Sequence, residues 1–224
     1  MSHKVAFLTT IFPMKVKCLY DFFDSLLKQT YNDFDVLVVN DGYENFNDIK
    51  MKYSKLNIIE LKYLNTPAKN REYGINYVIN NSYDILIFGD SDDYFSSNRI
   101  EHSINLLSKF DIVVNDLSLF DGDGIYCKKY LSNRIENNTK INYEFIKDKN
   151  IFGMTNSSLN INILDKVNFE DNLIAVDWYL FKNLLKNKCS AIFTNETESF
   201  YRQHNDNTIG LKMDNNYLFW WEKI

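Results

Sequence analysis

The chain is poor in glycine and cysteine, lacks clustered positive charge and has no long apolar run, and each shortage removes a class of function. Of 224 residues only 7 are glycine, and none follows the first β-type run. A Gly-rich loop cradling phosphate through backbone N–H groups is therefore missing there, which argues against a nucleotidyltransferase. The three cysteines, Cys18, Cys127 and Cys189, are odd in number, far apart and without metal-ligand spacing. They exclude a disulfide framework, fit a reduced cytosolic compartment, and read as packing residues. Lys and Arg total 25 against 30 Asp and Glu, a net charge of −5 with no basic patch. A nucleic acid is thereby excluded as the main partner, because phosphate-backbone binding needs clustered cations. No apolar stretch approaches the ~20 residues that span a bilayer, and the first residues lack the charged-then-apolar order of an export signal. The expectation is a soluble, cytoplasmic protein. Asn-x-Ser/Thr triplets at Asn137, Asn156 and Asn195 are then products of an Asn-rich composition.

What is present is a core. Hydrophobic residues make up 45% and aromatics 16%, with 17 Phe and 15 Tyr, so the chain is not disordered, and its length suits one large domain. Its organising stretch is ILIFGDSDDYF, residues 85–95. Ile85, Leu86, Ile87 and Phe88 are continuously apolar, as in a strand covered on both faces. Gly89 ends the packing, and Asp90, Ser91, Asp92 and Asp93 emerge at the carboxyl end, where open α/β sheets bind ligands. If extended, Asp90 and Asp92 point the same way. Two carboxylates on one side repel unless a cation lies between them, and Mg²⁺ or Mn²⁺ suits such oxygens together with substrate phosphates. A solvated acidic turn is the other reading of the same residues.

Around this stretch the pattern alternates between strand and helix. Residues 4–12 form a first strand, 17–29 an amphipathic helix with Leu19, Phe22, Phe23, Leu26 and Leu27 inward, and 36–39 a second strand ending in Asn40, Asp41 and Gly42. A βαβ order of this kind implies a parallel sheet with a right-handed crossover. A helix over 46–55, a strand over 57–63 and a helix over 68–80 with Tyr73, Tyr77, Ile75 and Val78 inward precede the organising strand. The first strand ends in Thr9 and Thr10 rather than carboxylates, which excludes a phosphoacceptor signalling domain. Beyond lie a helix (98–107), a strand (110–119), a DGDG hairpin turn at 121–124 and a mobile Asn- and Lys-rich surface segment (137–150), helical over 143–149. A calcium loop there would need Glu where Ser132 stands, so the turn is preferred. A helix over 176–187 and a late strand over 190–202 follow, then the aromatic tail NYLFWWEKI. Trp220 and Trp221 offer core cover, or a contact to a membrane surface or a second copy.

The ordered set of signals resembles the inverting GT-A glycosyltransferases of family 2. VAFLTTIF stands at the family's opening strand, and DFFDSLLKQTYNDFDVLVVNDGY at its helix, turn and second strand ending in acids. NREYGI resembles Ala-Arg-Asn-x-Gly-Ile, IFGDSDDYFSSNRIE resembles Leu-Asp-x-Asp-Asp with its helix, AVDWYLFKNLL the Glu-Asp-Trp helix, and YRQHNDN the late Tyr-Arg-x-His stretch. The likeness covers about residues 4–207.

The resemblance implies an α/β fold of the GT-A, Rossmann-like kind: a mainly parallel central sheet flanked by helices, with a smaller acceptor-side subregion. It divides the chain into a donor-binding half (1–115), an acceptor and catalytic half of the same domain (116–210) and an aromatic C-terminal segment (211–224). The implied activity is metal-dependent transfer, with inversion, of a sugar from a nucleotide-diphosphate donor, a UDP-sugar, to the hydroxyl of a saccharide or lipid-linked saccharide. The context would be bacterial surface polysaccharide synthesis, in the cytoplasm at the inner face of the membrane. Thr10 and Phe12 would flank the base, Asp41 would accept the pyrimidine N–H, Arg71 would face the diphosphate and Asp90 the ribose. Asp92 would hold Mn²⁺ or Mg²⁺, with His204 a further metal or diphosphate contact, Arg202 assisting and Asp93 orienting the loop or acceptor. Asp177, at a helix start, would be the general base, and Trp178 an apolar wall or sugar platform. The chain departs from the pattern at Thr10 (usually Pro), Asn40 (an acid), Tyr43 (Ser), Glu72 (Asn) and Val176 (Glu). These departures leave open a catalytically degenerate protein that binds sugar nucleotides or serves assembly.

Overall fold

The computed structural model describes residues 3–203. Strand β1 (Val5–Ile11), helix α1 (Val16–Leu27) and strand β2 (Phe34–Asn40) form the expected βαβ unit, with β1 and β2 parallel. Helix α2 (Phe46–Lys52) and strand β3 (Asn57–Lys62) extend it, and helix α3 (Pro67–Asn80) leads to β4 (Ile85–Phe88). Thr66 accepts the Lys69 N–H at the start of α3 and Pro67 occupies its first turn, two start signals that do not depend on the rest of the fold.

The remainder comprises β5 (Tyr94–Phe95), α4 (Arg99–Leu107), β6 (Ile112–Asp121), β7 (Gly124–Cys127), β8 (Lys140–Ile141), α5 (Tyr143–Ile146), β9 (Ser157–Asn160), a 3₁₀ turn at Ile161–Ile163, α6 (Val176–Lys186) and β10 (Ala191–Arg202). One sheet runs in the order β3-β2-β1-β4-β9-β6-β10-β5, with β7 on β6 and β8 on β10. Its long ladders are parallel: β1–β2, β2–β3, β1–β4 and β6–β10. The antiparallel ladders are short, and β9 uses two of them to join the parallel halves. This is the mainly parallel, helix-flanked α/β architecture expected from the alternating pattern.

Successive strand residues serve two cores, one per sheet face. Val5, Phe7, Val36, Val38, Ile85 and Ile87 pack with Leu19, Phe22 and Phe23 of α1. Ala6, Leu8, Leu37, Val39, Leu86 and Phe88 pack with Ile75 and Val78 of α3 and Phe181 of α6. Both faces are covered, which is why these strands are continuously apolar.

Three expectations need correction, and one strand went unread. Tyr73 does not face inward: it is 39% exposed and stacks on Tyr63 at 4.4 Å, while Ile75 and Val78 carry the buried face. Residues 137–150 are not merely a surface segment, since Ile141 and Ile146 are buried and β8 pairs with β10. Asn150 too is buried, and α5 is a single turn. β9, SSLN, is central although it reads as polar: its serines are buried between β4 and β6. The DGDG segment is a hairpin turn as expected, with Asp123 N–H on the Asp121 carboxylate at 2.8 Å and Gly124 at φ +120.

Candidate active site

The carboxyl ends of β1, β2 and β4 open into a cleft of about 820 Å³. Seven of the candidate residues line it: Thr10 and Phe12 after β1, Asp41 after β2, Arg71 on α3, Asp90 and Asp92 after β4, and Asp177 on α6, whereas Asp93, Trp178 and Arg202 do not. His204 lies outside the described residues, as do Trp220 and Trp221.

Each strand end is held by local chemistry. The Asp41 N–H donates to the Ile11 carbonyl at 2.8 Å, joining the ends of β1 and β2. Asn40, where an acid was expected, is buried. Its Nδ2 donates to the Tyr43 carbonyl (3.0 Å) and to Glu60 (2.8 Å), and its Oδ1 accepts from the Tyr43 N–H (2.8 Å). An amide can donate and accept at once, so Asn40 shapes the turn that presents Asp41. Gly42 completes that turn at φ +86. Glu72, the other departure on α3, accepts from the Phe169 N–H at 2.6 Å and from Lys69 at 2.8 Å. It ties the helix to the loop that continues into the cleft wall at Asp171–Ile174.

The acidic stretch is a turn rather than an extended run. The Asp93 N–H reaches the Asp90 carbonyl at 3.2 Å, and Ser91 Oγ donates to the Thr10 carbonyl at 2.8 Å. Asp90 and Asp92 still line the cleft. Asp93 points the other way: it is fully buried, and its Oδ1 accepts the Arg202 N–H at 2.7 Å. Burial and the neighbouring Asp92 and Asp90 push its carboxyl well above the usual range. Gly89 allows the turn to begin here, since a Cβ would lie 2.5 Å from Phe7 Cε1 and 2.7 Å from Phe95 Cζ.

Asp90 and Asp177 face one another electrostatically. Burial raises the Asp90 carboxyl to about 6; Arg71 opposes this, and Asp92 and Asp177 add to it. Its side chain keeps 33% of its exposure, with Arg71 Nη2 at 3.8 Å from Oδ1, and it lines the cleft. Asp177 is likewise raised to about 6 by burial, against the Trp178 N–H and Arg71. The Trp178 N–H donates to Asp177 Oδ1 at 2.7 Å, fixing the carboxylate at the start of α6. Trp178 itself is turned away: its indole N–H donates to the Ile146 carbonyl at 2.9 Å, and it does not line the cleft. The expected sugar platform is thus corrected to a tie between α6 and α5.

Sequence reading missed two features. One is the stretch of cleft wall Gly153, Met154, Thr155 and Asn156, held by Asn156, which accepts the Gly153 N–H (2.7 Å) and donates to the Asn115 and Ile151 carbonyls. A lone Gly inside an apolar-to-hydroxyl run was the available signal. The other is Arg99, fully buried, donating to the Phe88 carbonyl (2.6 Å) and Asn115 (3.1 Å) and lying 4.4 Å from the Phe95 ring. Burial brings its guanidinium down to about 9, with Asp93 and Asp90 opposing the fall. A basic residue next to the apolar stripe of α4 was a weak sign of it.

Among the described residues, no group of three or more His, Cys, Asp or Glu is gathered to hold a metal. Asp90 and Asp92 nevertheless fit Mg²⁺ or Mn²⁺, which takes one or two carboxylates and completes its shell with phosphate oxygens and water.

Residues 14–164 match the family model described as Glycosyl transferase family 2. A search of curated proteins found no match. Among solved structures, S. aureus TarS 1-349 in complex with UDP-GlcNAc is similar at TM-score 0.71 and 18% identity, over 92% of this chain and 60% of that one. TarS 1-349 without the complex gives 0.70 and 17% over 89% and 60%, and its complex with UDP gives 0.69 and 18% over the same shares. The chain thus spans about three-fifths of those TarS chains, and at this identity the likeness is one of fold.

Proposed function

The chain belongs to glycosyl transferase family 2, and from that membership we propose that it transfers a sugar, with inversion, from a UDP-sugar to a hydroxyl acceptor in bacterial surface-glycan synthesis. The acceptor is a saccharide or lipid-linked saccharide, and the work is done in the cytoplasm at the inner membrane face. Residues 1–115 bind the donor, 116–210 supply the acceptor and catalytic half, and the aromatic C-terminal stretch 211–224 lies outside the described residues. The observation that carries the reading is that Asp177, from the second half, shares one cleft with Asp41, Arg71, Asp90 and Asp92 from the first, near enough to raise Asp90. That S. aureus TarS has been crystallised with UDP-GlcNAc and UDP favours uridine.

In this reading Thr10 and Phe12 flank the base and Asp41 accepts its N–H. Asp90 accepts from the ribose, and Arg71, a planar permanent cation, faces the diphosphate. Asp92, with His204, is the ligand set for Mn²⁺ or Mg²⁺. Such an ion, when bound, neutralises charge developing on the nucleoside diphosphate. Asp177 takes the proton of the acceptor hydroxyl as its oxygen attacks the anomeric carbon from the face opposite the diphosphate. The bond to the diphosphate oxygen breaks with that electron pair, and one displacement inverts the centre. A carboxyl raised to about 6 is ionised at neutral pH and is a stronger base than an ordinary aspartate, which suits the role.

The test is a panel of nucleotide sugars with Mn²⁺, measuring nucleoside diphosphate release by wild type, Asp92→Ala and Asp177→Asn. Release with one donor, abolished by Asp177→Asn, is expected. Metal-dependent donor binding without release, indifferent to Asp177→Asn, would instead establish a sugar-nucleotide-binding protein that has lost catalysis. Unchanged donor binding in Asp92→Ala would remove the metal assignment.

A further inference from the structure

Arg202 closes β10 with a side chain only 10% exposed, and three segments remote in sequence meet at it. Its Nε donates to the Asp92 carbonyl at 2.6 Å, its backbone N–H to Asp93 Oδ1 at 2.7 Å, and its Nη2 to Asp21 Oδ2 on α1 at 2.6 Å. The guanidinium also lies 4.3 Å from the Phe120 ring. We infer that Asp21 and Arg202 are a positioning pair that sets the direction of the Asp92 carboxylate. This rests on the proposed role of the cleft but adds to it a residue, Asp21, that does not line the cleft.

The physical argument begins with repulsion. Three carboxylates within four residues tend to splay the turn, most of all before a ligand arrives. A backbone carbonyl held at 2.6 Å fixes the peptide plane after Asp92, and with it the direction in which that side chain leaves the chain. The guanidinium does this only while it is itself held. One edge goes to Asp92, the next to Asp21, and the flat face rests on Phe120, which leaves the fork little rotational freedom. Asp21, on the first helix, thus links α1 to the acidic turn through a residue more than 180 positions later. A lysine places a single point donor where two directed ones are needed, so Arg202→Lys is not conservative here.

The experiment uses the whole chain with Asp21→Asn, Arg202→Lys and the double variant. In the ligand-free protein, amide exchange is measured across residues 89–94. Tenfold faster exchange in both single variants is expected, and unchanged exchange overturns the pair. UDP affinity is then measured by calorimetry with and without Mn²⁺. The Mn²⁺-dependent gain should fall at least tenfold in each single variant, as for other groups that orient a metal ligand. Metal-free UDP binding should stay within about twofold, and the double variant should lose little more than either single one, because the two act as a unit. Equal loss of both affinities would mean a general structural role and would refute the inference, as would an unchanged Mn²⁺ gain. A wild type with no Mn²⁺-dependent UDP binding would instead count against the proposed function, and the exchange data would still decide the pair.

Discussion

Replacing Asp177 by Asn should stabilise the protein at neutral pH and, if the residue is the proposed base, abolish sugar transfer. The carboxyl moves from 3.8 to about 6 on folding, burial being the largest cause. A raised carboxyl binds its proton more tightly folded than unfolded. Its contribution to stability is therefore fully present below pH 3.8 and is lost as pH rises through about 6. Roughly two units at ~1.36 kcal/mol each set a ceiling of about 3 kcal/mol. Water in the cleft reduces this to about 1–2 kcal/mol. Asn keeps an oxygen for the Trp178 N–H, so the bond at 2.7 Å survives. Losing the charge also relieves Asp90, which Asp177 pushes up. Denaturant unfolding of both proteins from pH 4 to 8 should show curves that coincide near pH 4, part between 4 and 6, and then run parallel. Thermal midpoints at pH 8 should differ by about 3–6 °C in favour of the variant, whereas sugar transfer should drop by about 10²–10⁴. A variant no more stable than wild type at pH 8, or a gap equally large at pH 4, would refute the assignment of Asp177 as a carboxyl destabilised by its surroundings.

The remaining expectations concern the frame of the cleft. If Asp177 is the proposed base, the kcat/KM of the wild type should fall about tenfold per unit below pH 6 as its carboxyl takes up a proton; a profile flat to pH 5 would exclude it as the base. Gly89→Ala should cost about 1–3 kcal/mol in unfolding free energy by forcing Phe7 or Phe95 aside, and a neutral result would mean that the rings move freely. Arg99→Met leaves the buried Phe88 carbonyl and Asn115 Oδ1 without their donor; the expected loss is about 2–4 kcal/mol, and chemical denaturation showing less than 1 would contradict it. Trp178→Phe should lose about 1 kcal/mol with the bond to Ile146 while transfer kinetics stay unchanged, and a large fall in kcat would restore the indole to the site.

Strands β1, β2 and β4 were legible because they are covered on both faces and so need unbroken apolar runs, and α1 because Leu19, Phe22, Phe23 and Leu26 recur on one face. Residues just past such strands must lie at one sheet edge once the connections are right-handed. That is why Thr10, Asp41, Asp90 and Asp92 could be placed at that edge from strand patterns, which are local properties carried by a spacing of two or 3.6 residues, whereas Asp177 was set with them only by the likeness of AVDWYLFKNLL to the family's Glu-Asp-Trp helix.

What only the tertiary structure decided concerns polar groups whose partners are distant. β9 is a central strand because β4 and β6 supply its hydrogen bonds, which Ser157, Ser158 and Asn160 do not announce. Asp93 turns inward because Arg202 waits there, Arg99 is buried because Phe88 and Asn115 receive it, and Trp178 leaves the cleft because Ile146 accepts its indole proton. Burial of an apolar side chain needs only a neighbour of its own kind, so pattern alone foretells it. A buried polar group needs one specific partner at hydrogen-bond distance, and for Asp93 that partner is the Arg202 N–H, 109 positions along the chain.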